Sequence, residues 1–227
     1  MGDLGGKVRE AICAAPPWFE ALAVLTVAFG GFVLSSILAI SHPEARVVSS
    51  DDLFRTALFE IGAAAAIASF LGLRGWSTSQ LGFAKPSGTD LWHAAWLLVS
   101  AVILTVICEY LASAISGVEL SPLVSFDQSS INPAVAVAFS AVNSAFEETF
   151  VCAYVISAWK GPDVWSAVGL SALVRLSYHL YQGAFAIATI FPFAIVLGWY
   201  FKSQRRLLPL VLTHAMLDII ALLTVRN

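Results

Sequence analysis

The chain has 227 residues, 59% hydrophobic and only 12% charged, with a net charge of −3. Its mean hydropathy of +0.82 lies far outside the range of a soluble globular domain and within that of a multi-spanning membrane protein. No basic block is present, which argues against a nucleic-acid surface. Cys13, Cys108 and Cys152 stand singly, which argues against a disulfide framework and a thiolate zinc site.

Lys7 and Arg9 precede an apolar stretch over 17–40. It is too long for a signal-peptide core and no A-x-A pattern follows, so it reads as a retained first span. A bilayer core about 30 Å thick needs roughly 20 apolar residues in a helix. Such stretches run over 17–40, 53–73, 91–117, 134–159, 163–182, 184–201 and 207–224. Turn signals separate most of them: SHPEARVVSSDD, GWSTSQLGFAKPSGTD, SGVELSPLVSFDQSSIN and KSQRR. The fifth and sixth nearly touch at Gln182-Gly183. The expected fold is therefore all-α, a polytopic transmembrane helix bundle of about seven spans.

Lys and Arg near span ends are retained in the cytoplasm. A cytoplasmic N-terminus places Lys7, Arg9, Arg74, Lys85, Lys160, Lys202, Arg205 and Arg206 inside, against Arg46, Arg55 and Arg226 outside. The tryptophans, Trp18, Trp76, Trp92, Trp96, Trp159, Trp165 and Trp199, fall near the same ends, as an interfacial belt would. The expected organisation is a cytoplasmic segment over 1–16, two helices and a basic loop over 17–89, and a catalytic bundle over 90–227.

Ionisable groups inside spans cost on the order of 2.5–3.5 kcal/mol each on insertion scales and tend to mark function. Glu147 and Glu148 are adjacent in the fourth span, Arg175 and His179 share the fifth, and His214 and Asp218 share the seventh. The last two pairs are spaced i, i+4, which puts each pair on one helix face. Consecutive helix positions lie about 100° apart, so Glu147 should line up with Asn143 and Tyr154, and Glu148 with Ser144 and Cys152. On that geometry Glu148 needs a partner of its own. The structural alternative, polar groups gluing helices together, suits Glu60 and Glu109 better, since each is alone on its helix. His42 reads as a loop residue and His93 as one at the membrane edge.

Two histidines and a carboxylate from separate elements form one of the sets that binds catalytic zinc, here His179, His214 and Glu147 if a metal is present. The same side chains suit a metal-free device, in which a glutamate deprotonates water and imidazoles stabilise an oxyanion. Both alternatives are hydrolytic. HExxH and GxSxG are absent, and no aspartates pair within the spans.

Glu147-Glu148, the histidine of RLSYHLYQG and the segment HAMLD resemble the three motifs, EExxxR, FxxxH and HxxxN/D, of the CAAX-protease and bacteriocin-processing family, which includes the type II CAAX prenyl endopeptidases. The spacings are 32 residues from Glu147 to His179 and 35 from His179 to His214. The resemblance covers about 90–224, and GWSTSQLGFAKPSGTDL is similar to a segment often found before it. It implies an intramembrane endopeptidase of glutamic or metal-dependent type acting on membrane-associated, C-terminal or leader peptides. It also implies Glu147 as the base, Glu148 as its supporting neighbour, His179 and His214 on the water or oxyanion, and Asp218 behind the last histidine or the water. Implied partners are lipids and a peptide or membrane-anchored protein, and the implied setting is the cell membrane of a prokaryote.

Cys152 stands where the motif has arginine, and Arg175 where it has phenylalanine. Arg175, one turn before His179, is therefore expected to supply the missing cation to Glu148 from the neighbouring span. Without it, the chain would be an inactive family member acting as a scaffold. A proton or cation transporter is the rival from another class, because membrane carboxylates and histidines also form proton relays. A nucleophilic Cys152 is disfavoured, since buried thiols are inert.

Overall fold

The computed structural model describes residues 6, 10–41, 47–117, 125–126, 131–161 and 163–224. Lys7, Arg9, His42, Arg46 and Arg226 lie outside the described residues. With apolar surroundings unable to hydrogen-bond the backbone, the apolar runs close their own bonds as helices. These are α1 (Pro17–Ser41), α2 (Ser50–Leu73), α3 (Gly88–Ser116), α4 (Pro133–Ala158), α5 (Val164–Tyr178), α6 (Ala184–Gln204) and α7 (Leu208–Thr224).

The helix starts fall where short polar side chains can cap free backbone N–H groups. Ser49 and Asp52 form a reciprocal capping box on α2, as do Ser87 and Asp90 on α3. Asn132 caps α4 with Pro133 at its first turn, and Asp163 caps α5. A two-residue parallel bridge, Val47–Val48 with Ser125–Phe126, ties the α1–α2 connection to the α3–α4 connection.

Five helices, α1, α2, α3, α4 and α6, are long and apolar enough to cross a membrane. The two that carry the histidine motifs are shorter, α5 at 15 residues and α7 at 17. α5 stops at Tyr178 because the chain passes through a 3-10 turn, Leu180–Gln182, and then reverses at Gly183. That glycine has φ 64 and ψ −146, a region open essentially to glycine alone.

α4, α6 and α7 form the centre, with α2 against α4, α5 against α6, and α3 against α6 and α7. Leu97, Leu197, Leu210 and Phe201 are buried where these helices meet. Outward faces of α1, α2 and α3 expose Leu34, Leu58, Ile103, Val106 and Ile115. Apolar surface so extensive on the outside of a helix bundle is what a lipid environment requires.

One end of the bundle collects the basic residues and is laced together by them. Arg206 pairs with Asp90 at 2.6 Å and donates to the Lys85 carbonyl, while Arg205 donates to Ser157, which in turn donates to the Gln80 carbonyl. Gly82, at φ +77, lies so close to α6 that a Cβ would sit 2.6 Å from the Phe201 ring. The loop between α2 and α3 is thereby sewn to the α6–α7 turn.

Candidate active site

The glutamate pair lies near the middle of α4, where the helix changes its winding. Glu148–Tyr154 is π-helical and wholly buried. Such widened turns recur at functional sites. The π turn displaces the regular α register beyond Glu147, and each glutamate has a partner of its own, Tyr178 for Glu147 and His214 for Glu148. One residue serves both. Arg175 NH2 donates to Glu148 Oε1 at 2.6 Å and NH1 to Glu147 Oε2 at 3.2 Å. A forked guanidinium can span two adjacent carboxylates in a way that a point-charge ammonium does not.

Arg175 is 1% exposed and Glu148 is fully buried. A buried charge is tolerated only when paired and hydrogen-bonded, and here the pairing crosses from α4 to α5. Cys152, at the motif position for arginine, is buried within electrostatic reach of Glu148 and Arg175. The cation stands on the neighbouring helix instead.

His214 on α7 shares a hydrogen bond with Glu148 Oε1 through Nδ1 at 2.6 Å, and its Nε2 lies 3.5 Å from Asp218 Oδ1. Asp218 also accepts from Asn143 Nδ2 at 3.0 Å. α4 and α7 are thus joined twice, by Glu148–His214 and by Asn143–Asp218. Phe193 on α6 closes the group from above, 5.2 Å from the Arg175 guanidinium and 5.2 Å from the His214 ring.

His179 arrives by a different route. It caps the C-terminus of α5, with its ring 4.7 Å from that of Tyr178, whose hydroxyl donates to Glu147 Oε2 at 2.6 Å. His179 Nδ1 is buried without a hydrogen-bond partner. Glu147, Glu148, Arg175, His214, Asp218 and Asn143 are thus linked into one group by polar contacts, with the half-buried His179 beside it through Tyr178. The histidine in bonding contact with a glutamate is His214, and it contacts Glu148 rather than Glu147.

The ligand set His179, His214 and Glu147 does not fit a metal ion. No three histidine, cysteine or acidic side chains among the described residues are arranged to hold one, and Arg175 occupies the space between the carboxylates. No step is routed through a metal below.

Glu60 on α2, set apart by the sequence as a lone structural carboxylate, lies within electrostatic reach of Glu147, Asp218 and His214. Its isolation on α2 concealed this. Tyr178 was also missed, because a tyrosine beside a motif histidine carries no signal of its own. Glu109 is half-buried on α3, and His93 shares a 2.8 Å hydrogen bond with Tyr200.

Residues 129–220, which contain all three motifs, match the family model described as Type II CAAX prenyl endopeptidase Rce1-like. This segment is similar to that family. Among the elements of the site, the Rce1-like match includes α4, α5, α6 and the α7 motif, and leaves Glu60 outside. Neither a curated protein nor a solved structure matches the chain.

Proposed function

We propose that the Rce1-like domain is an active intramembrane endopeptidase in which Glu147 is the base that activates water. Support comes from the family match, which points to a CAAX-protease-type enzyme of the membrane, and above all from the Arg175 bridge to both glutamates. A cation at that place answers the objection raised by Cys152. The scaffold alternative drew its force from a glutamate left without its arginine.

Glu148 is enclosed and engaged with Arg175 and His214, which suits a positioning role. Glu147 is slightly exposed at 7%, and its bonds from Arg175 and Tyr178 both fall on Oε2. Oε1 is then the atom to take a proton from water. The hydroxide adds to the scissile carbonyl, and His179, whose Nδ1 has no partner among the described residues, stabilises the developing oxyanion as an N–H donor, with His214 held between Glu148 and Asp218 behind the site. Asp218, fixed by Asn143, orients His214, and Tyr178 orients Glu147.

Substrates in this reading are membrane-associated peptides or protein tails, and the protein lies in the cell membrane of a prokaryote with its basic, tryptophan-rich end in the cytoplasm. The two N-terminal helices brace the catalytic bundle. Detergent-purified protein, wild type and Glu147→Gln, is to be incubated with a peptide library with and without chelator. Cleavage by wild type alone, insensitive to chelator, is expected. Intact binding without cleavage by either protein would favour a scaffold, and ion flux in liposomes lost on Glu147→Gln would favour a transporter.

A further inference from the structure

Leu53 on α2, Ala136 and Ile131 at the start of α4, and Leu222 on α7 pack as one small buried cluster. From it, three helices carry polar residues inward along the same seam. Glu60 follows Leu53 by seven residues, Asn143 follows Ala136 by seven, and Asp218 precedes Leu222 by four. Seven residues are two helical turns, about 10 Å, and four are about one turn, so all three return to the face that faced the cluster. Asn143 and Asp218 are indeed bonded to each other. By the same count Glu60 faces this seam from α2, which packs on α4.

Glu60 is 1% exposed, and its Oε2 is buried without a hydrogen-bond partner. The Ser140 hydroxyl, one turn before Ser144 on α4, is buried without one too. Charges felt by Glu60 come from Glu147, Asp218 and His214. The seam thus gathers four carboxyl groups, and its cations are already committed. Arg175 holds Glu147 and Glu148, and His214 lies against Glu148 and Asp218. No ion pair among the described residues reaches Glu60. A buried carboxyl group without a cation is carried as the neutral acid, which makes it a donor.

Resting on the hydrolytic reading above, we infer that Glu60 is a further catalytic residue of this site, the acid that protonates the departing amine. Glu147 takes a proton from water as the water oxygen bonds to the carbonyl carbon. The carbon–nitrogen bond of the tetrahedral intermediate then breaks, its electron pair stays on nitrogen, and nitrogen takes the Glu60 proton. The proton held by Glu147 passes to Glu60, leaving a carboxylic acid and an amine and restoring both glutamates.

The test compares two leaving groups on one sequence: a peptide that wild type cleaves from the library, and its analogue with sulfur in place of the scissile N–H. A thiolate departs without a proton, whereas an amine does not. Glu60→Gln should slow amide cleavage about 100-fold or more and thioester cleavage by no more than about threefold, while Glu147→Gln should abolish both. An equal fall on both substrates would mark a structural role and overturn the assignment, as would an unchanged amide rate. Retention of both cleavages by Glu147→Gln would instead overturn the underlying hydrolytic reading. Should Glu60→Gln fail to fold by thermal melt, Glu60→Asp carries the same comparison, because it keeps the proton and shifts it by one methylene.

Discussion

Among the described residues, two of the buried carboxylate clusters built around an arginine contrast sharply, one on Glu20 and one on the glutamate pair. At the basic end, Glu20 receives Arg74 Nε at 2.6 Å, Trp76 Nε1 at 2.9 Å and the Tyr154 hydroxyl at 3.2 Å. Arg74 also donates to the carbonyls of Ile12 and Cys13. Both oxygens of Glu20 are bonded. Around the glutamate pair, in contrast, Glu148 Oε2, Arg175 Nε, His179 Nδ1, Gln182 Oε1, Ser140 Oγ and Glu60 Oε2 are buried without partners. A cavity of about 370 Å³ opens beside Glu20, bounded by Arg74, Trp76 and Tyr154, so room alone does not separate the two. Completed bonding does. The Glu20 cluster fastens α1 to the α2 end and to α4, while the second leaves buried polar atoms without partners among the described residues, which native interiors seldom permit and which the proposed hydrolysis would use for water and substrate.

If that contrast is sound, substitutions in the two clusters should divide between turnover and stability. The largest effect is expected at Glu147: Glu147→Gln should lower cleavage about 10³-fold, with a thermal melt close to wild type. Arg175→Ala strands two buried carboxylates and should cost about 3–5 kcal/mol together with activity. In that background Cys152→Arg should return part of both, read by melt and by turnover. Arg74→Ala should destabilise by about 2 kcal/mol, the order of a lost charged hydrogen-bond set, yet leave turnover per folded molecule within about twofold. Equal turnover losses from Arg74→Ala and Arg175→Ala would erase the distinction. The smallest effect belongs to Cys152→Ser, which should keep turnover within about threefold, since a thiol buried in apolar surroundings is inert.

Seven helices were legible as apolar runs, four of them opened by polar capping residues, since lipid-facing segments have little other choice; α5 and α7 are shorter than the spans expected there. The ionisable side chains of the candidate site stood out in the sequence because charge inside oil is costly. The cation for Glu148 was legible too, as Arg175 one turn before His179; what could not be read was that it also reaches Glu147 and that Glu148 also engages His214. The stripe argument assumed a uniform α-helix and gave Arg175 to Glu148 alone, whereas the π turn at Glu148–Tyr154 and the breadth of a guanidinium bring both glutamates to it. Glu60 escaped for a similar reason: one carboxylate on a helix gives no spacing to read, and its neighbours Asn143 and Asp218 come from helices remote in sequence. Its register from Leu53 becomes informative only once that leucine is seen to pack against Ala136 and Leu222.

Incubation of purified wild type and Glu147→Gln with the peptide library in H₂¹⁸O, followed by mass spectrometry, tests most directly whether Glu147 activates water. The account predicts wild-type fragments whose new C-terminal carboxyl carries one ¹⁸O, and none from Glu147→Gln. Labelled fragments formed equally by both proteins would contradict it.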